Sequence, residues 1–245
     1  MPFTFSHPAI VIPFKNKYFN FSGLILGSMA PDFIYFVLFS PSSNIGHEFL
    51  GFFFFNLPMC FLINYVFYKY TQKALILSMP NFISNKYIHL TKLKNTLSNK
   101  KEILKFVISC LIGMITHVLW DSFTHISGFF VNNIAFLRDS INIFNMSIPI
   151  YKIIQHGSTM IGFLVIFIYI YLYTIKGKNI FYLKINKFKI YLSLVLVFII
   201  TMIVSIFIFV KTGAFIGIGR LVVTFINSLF ISYSITGFLL DKNKI

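Results

Sequence analysis

Apolar residues along this chain gather into long blocks, separated by stretches rich in Lys, Ser and Asn. A helix needs about 20 mostly apolar residues to span a bilayer. Runs of that length lie near 21–40, 49–69, 104–125, 154–175, 188–210 and 213–240, which predicts six spans. The first run, GLILGSMAPDFIYFVLF, is short and holds Pro31 and Asp32, so a broken or re-entrant helix is expected there as readily as a straight one. Residues 70–103 form the longest polar region and predict a loop with one short surface helix, in which His89 is solvated and outside any site. No internal repeat or low-complexity linker divides the chain. The expected fold is all-α, a polytopic membrane helical bundle. Residues 1–175 carry the candidate site, and 176–245 add two further transmembrane helices to the same bundle.

Composition agrees with the pattern. Hydrophobic residues make up 57% of the chain and charged ones 11%, with a mean hydropathy of +0.82, far from an ordinary soluble domain. The net charge of +15 would suggest nucleic acid in a soluble protein, but here position decides its meaning. Lys15 and Lys17, the lysines from Lys69 to Lys105, those from Lys176 to Lys189, and Lys242 and Lys244 all fall on one side of a six-span arrangement. The positive-inside rule makes that side cytoplasmic, so both termini are expected inside the cell membrane. These loops lack the aromatic-basic interleaving used to bind single strands, so membrane lipids, not nucleic acid, are the expected partners. No basic stretch precedes the first apolar run in the manner of a cleaved signal. Cys60 and Cys110 sit mid-helix without CxxC spacing and are expected to pack.

Only six residues are acidic: Asp32, Glu48, Glu102, Asp121, Asp139 and Asp241. Glu102 and Asp241 lie among lysines, whereas the other four belong to the opposite half. An ionised carboxylate in or beside hydrocarbon costs a few kcal/mol unless it is paired or metal-bound, so such residues are candidates for function. In THVLWDSFTH, His117, Asp121 and His125 recur every four residues and share one helical face. The rise per residue puts His117 and His125 about 12 Å apart, too far for one ion unless the helix ends between them. His117 with Asp121 is therefore the better ligand pair, and His125 is left to a second ion, an outer hydrogen bond or substrate.

The six-span topology brings Asp32, His47 with Glu48, residues 117–125, and Gln155 with His156 to one membrane depth, with Arg220 close by. His7 joins them only if PFTFSHPAIVIPF folds back into the bundle, which Ser6 or His7 as N-cap and Pro8 at the first helical position would favour. Imidazole and carboxylate are the ligands expected of zinc and similar divalent ions, so a divalent metal, zinc first, is the expected cofactor. A proton or ion pathway and a purely structural network are the alternatives.

The motifs MPFTFSHPAIVIP, GSMAPDF, GHEFLG, THVLWDSFTH and YKIIQHGS, in that order, resemble a family of multi-pass prokaryotic membrane proteins known as a domain of unknown function. The resemblance is strong to about residue 175 and rests on hydrophobicity alone beyond it. That family is similar to the LexA-regulated, inner-membrane metal-dependent hydrolases, whose pattern falls here on Pro31 and Asp32, on His47, and on His117, Asp121, Thr124 and Gly128. It is more distantly similar to the zinc-dependent phospholipase C and P1 nuclease superfamily, an all-helical group that hydrolyses phosphoesters and whose H-x-x-x-D element His117 and Asp121 echo. The resemblance implies a membrane-embedded metal-dependent hydrolase acting on a phosphoester or lipid-type substrate near the outer leaflet. Its metal would be held by His117, Asp121, His47, Asp32, His156 and His7, with His125 beside them and Asp121 bridging if there are two ions. Glu48 would act as general base, and Arg220 would stabilise an anionic group such as a lipid phosphate. A transporter component and a non-catalytic membrane scaffold that needs metal to fold are the competing classes.

Overall fold

Helix accounts for 81% of the computed structural model, which describes residues 3–41, 43–92, 97–143, 146–175 and 187–242. Among these residues, six helices are long and apolar enough to cross a membrane: Phe21–Leu38, Phe49–Ser78, Lys100–Asp121, Ile150–Tyr173, Lys187–Lys211 and Ile218–Asp241. The fold is all-α, with a single short antiparallel hairpin, Ser140–Ile143 against Met146–Pro149, among the described residues. In the fifth of these helices only 17% of the most apolar window is buried, although its hydropathy reaches 3.0. An apolar surface of that kind suits a helix in contact with lipid. Lys94, Lys176, Lys178, Lys184 and Lys244, part of the expected cytoplasmic set, lie outside the described residues.

The helix limits differ from expectation in two instructive places. The second helix runs on to Ser78 through two π-turns, Phe52–Asn56 and Phe67–Thr71, because Ala74, Ile76 and Leu77 are buried apolar positions beyond the Lys69 that seemed to end it. The third stops at Asp121, four residues early, where Ser122 begins a series of turns. The first span is interrupted, as Pro31 requires: an α-helix Phe21–Met29, a 3-10 turn Ala30–Asp32, then Phe33–Leu38.

Backbone contacts sort the chain into two compact units that alternate along the sequence. The first comprises Met1–Phe33, Ile45–Cys60 and Leu97–Leu172. Its centre is the crossing of Phe21–Met29 with Lys100–Asp121. Gly23 and Gly27, one helical turn apart, lie against Phe106 and Cys110, while Gly113 lies against Leu24 and Ser28; a methyl group at any of the three would run into opposing backbone. Small residues at such spacing let two helices approach closely where lipid offers no hydrophobic drive between them. Asn20 and Asn99 cap the two helices, accepting from the amides of Gly23 and Glu102, each at 3.0 Å.

The second unit comprises Ile34–Asn44, Phe61–Thr96 and Tyr173–Ile245. Ala74, Ile76, Leu77, Ile88, Ile190 and Leu240 form its core. Polar contacts knit its helices: Thr71 with Ser234 at 2.8 Å, Ser193 with Thr236 at 2.9 Å, and Asn227 Nδ2 donating to the Phe36 carbonyl at 2.6 Å. In the polar region the expected short helix is Asn81–Tyr87, followed by a 3-10 turn, Ile88–Lys92, and His89 is exposed there as expected.

Candidate metal centre

Five stretches of the first unit meet at one buried cluster. His7 precedes the short helix Pro8–Val11, which Pro8 starts as expected, and is 4% exposed. The Phe3 amide donates to Thr159 Oγ1 at 3.1 Å, and Gly162 leaves room for Ser6, so the N-terminal segment folds back and His7 joins the group. Asp32 closes the turn that Pro31 introduces and is fully buried. His47 closes a second 3-10 turn, Ile45–His47, whose Gly46 packs against the Pro31 carbonyl too closely for any side chain. Asn56, from the first π-turn, holds that turn by donating to the Gly46 carbonyl at 2.7 Å. His117 and Asp121 occupy the last two turns of the third span. Beyond it, the turns that contain Thr124 and end at Gly128, which packs on the Ser122 carbonyl, swing His125 back until its Nδ1 lies 3.6 Å from Asp121 Oδ1. The helix ends between His117 and His125, the condition under which their separation along an unbroken axis ceases to matter.

Asp121 stands at the middle. Its Oδ1 lies 3.6 Å from His7 Nε2; its Oδ2 lies 3.3 Å from His117 Nε2 and 3.6 Å from His47 Nε2. Asp32 Oδ1 lies 3.7 Å from both His47 Nε2 and His117 Nε2. The rings of His7 and His117 stack at 3.8 Å. Groups outside the cluster hold these side chains. The Ser28 carbonyl can only accept, so His117 Nδ1, 2.7 Å away, carries the proton and Nε2 presents a lone pair. Thr4 donates to Asp32 Oδ2 at 2.5 Å, and His125 Nδ1 donates to the Asp121 carbonyl at 3.0 Å.

His7 Nε2, His117 Nε2, His125 Nε2, Asp32 Oδ1 and Asp121 Oδ1 are all buried without a hydrogen-bond partner among the described residues. Each such group costs about 1–3 kcal/mol, and those of His7, Asp32, His117 and Asp121 lie together at the cluster. The ligating atoms of His7, His117 and Asp121 lie within 4.8 Å of one another, and so do those of Asp32, His47 and His117. Burial, and then the neighbouring His117, lower the His7 pKa to about 3, and burial lowers that of His125. Both rings are therefore neutral near pH 7, the form that binds a metal.

Thr4 gives a direct test of this support. Thr4→Val keeps the shape and removes the hydroxyl that orients Asp32, and is expected to weaken metal binding about 10–100-fold. Competition with a chelator of known affinity measures it.

A model of the domain of unknown function DUF4184 matches residues 1–238. The chain belongs to the DUF4184 family. No curated protein and no solved structure matches it. The family match runs through the last two helices, where sequence resemblance had rested on hydrophobicity alone.

Two residues expected at the site of this DUF4184 protein, His156 and Glu48, are not brought into the cluster. His156 is exposed, because it is the adjacent Gln155 that turns inward, and one residue is about 100° of helix. Glu48 is exposed at the start of the Phe49–Gly51 helix. Arg220 belongs to the second unit, where its guanidinium donates to Ser40 Oγ at 3.2 Å and lies over the Phe209 ring at 4.9 Å. Conversely, Thr4, Ser28 and Asn56 serve the DUF4184 site without having been picked out. Thr4 could have been found through its place in PFTFSHP; Ser28 acts through a carbonyl and leaves no sequence signal.

Next to the cluster, this DUF4184 protein has a cleft of about 240 Å³ lined by Ser6, His7, Ile10, Trp120, Ile161 and Val165. Trp120 Nε1 donates to Ser158 Oγ at 3.3 Å, which fixes the indole as one wall. His7 is thus common to the cleft and to the metal-ligating group.

Proposed function

We propose that this protein is a membrane-embedded hydrolase that depends on a divalent metal, zinc first, and cleaves a phosphoester carried on a hydrocarbon chain. The observation that carries the reading is the set of buried, partnerless imidazole and carboxylate atoms facing one another on His7, Asp32, His117 and Asp121. Nitrogen and oxygen donors without thiolate suit zinc and similar divalent ions. When bound, such an ion supplies Lewis acidity at a phosphoryl oxygen and an acidified water. The chain's own residues do the positioning: Ser28 fixes the His117 tautomer, Thr4 steadies Asp32, and Asn56 holds the turn of His47. The largely apolar cleft supports a substrate with a hydrocarbon chain, whose polar end would lie at His7. The lysine distribution supports a site opening toward the outer leaflet.

Wild-type protein purified in detergent is expected to hold stoichiometric metal by plasma mass spectrometry and to hydrolyse phospholipid in mixed micelles. The His117→Ala, Asp121→Ala double variant is expected to lose both. Val165→Trp, which narrows the cleft, should keep the metal and lower kcat/KM for the long-chain substrate about tenfold or more, leaving a short water-soluble phosphoester unaffected. A wild type that stays metal-free after chelator-free purification and reloading sinks the reading.

A further inference from the structure

We infer that the centre holds two divalent ions, with the Asp121 carboxylate bridging them; the inference rests on the metal reading of the site. His117 belongs to both ligating groups, yet it has one lone pair to give, since its Nδ1 is spent on the Ser28 carbonyl. One ion can use that lone pair. A tetrahedral divalent ion with bonds of about 2.0–2.1 Å keeps its ligands about 3.3–3.4 Å apart. Asp32 Oδ1, His47 Nε2, Asp121 Oδ2 and His117 Nε2 follow one another at 3.7, 3.6, 3.3 and 3.7 Å, which suits the first ion.

That ion leaves a remainder. His7 Nε2 and Asp121 Oδ1 face each other at 3.6 Å, beyond hydrogen-bonding distance, and both are buried without partners among the described residues. A one-ion centre strands them on the far side of the same carboxylate. A second ion bound by His7 and Asp121 Oδ1 satisfies both, with the His125 imidazole next to it. The two oxygens of Asp121 thus serve two different sets of imidazoles, the arrangement a bridging carboxylate needs. The second ion would sit at the edge that His7 shares with the cleft. Two divalent cations against Asp32 and Asp121 leave an excess of positive charge, which selects an anionic substrate group such as a phosphate.

Loading the full-length, detergent-purified chain with Mn(II) separates the possibilities. Expected are two ions per chain by plasma mass spectrometry and an exchange-coupled electron paramagnetic resonance spectrum. His7→Ala is expected to hold one ion with the spectrum of an isolated centre, and His7→Asn serves the same purpose if the alanine variant is not monodisperse. One uncoupled ion in the wild type overturns the bridged pair and leaves the hydrolase proposal standing. Two ions retained in both His7 variants overturn the assignment of the second ion. No bound ion at all overturns both the pair and the metal reading beneath it.

Discussion

Asp121→Asn is expected to weaken metal binding about a thousandfold or more and to abolish turnover, well beyond the 10–100-fold typical of groups that only orient a ligand. The substitution keeps the size and shape of the side chain but removes its charge and replaces one lone-pair oxygen with an amide donor. Three imidazole nitrogens, from His7, His47 and His117, lie 3.3–3.6 Å from its two oxygens. An NH₂ placed on either side therefore points a hydrogen into the space of the proposed cation. Isothermal titration with zinc and a turnover assay on the same preparation measure the two effects. An asparagine variant that binds metal like the wild type would show that Asp121 is a bystander and that His117 and Asp32 suffice.

Gly27→Ala is expected to destabilise the protein by about 3 kcal/mol or more, an unusually large effect for one methyl group. A Cβ at Gly27 would collide with the backbone of Cys110, and backbone cannot rotate aside as a side chain can. The helices must separate, and the displacement reaches the site, because Ser28 follows Gly27 directly and Asp32 lies five residues on. Faster thermal inactivation in detergent and weaker metal binding are both expected. Gly157→Ala is the matched comparison: a Cβ there meets nothing within 4 Å, so the change is expected to be neutral or slightly stabilising. Equal behaviour of the two variants would refute the close-packed crossing.

The helical class and the six spans were legible because apolar blocks of bilayer length have few other uses. Much of the cluster was legible too, since Asp32, His47, His117 and Asp121 are ionisable residues in an apolar chain, and hydrocarbon makes such residues conspicuous. Position along each helix could be read from the sequence, but rotation about a helix axis could not. That is why His156 and its buried neighbour Gln155 exchanged places. Within the second unit, the partners of Arg220 are Ser40 and Phe209. The supporting contacts were hidden for another reason. Gly46 against Pro31 and His117 against the Ser28 carbonyl join residues distant in sequence through backbone atoms, which every residue type carries. The alternation of the two units along the chain depends on contacts of the same long-range kind.

The third span ends at Asp121, and that early end has an electrostatic meaning. A helix of 22 residues carries a macrodipole whose C-terminal pole is equivalent to about half a negative charge. His117 and Asp121 are borne on that pole, where little water can screen it. The field of the helix is therefore directed at the same point as the carboxylates. Extending the helix by one turn would carry this pole past His117 and Asp121 and undo the turns that swing His125 back, reducing the pull on any cation bound there.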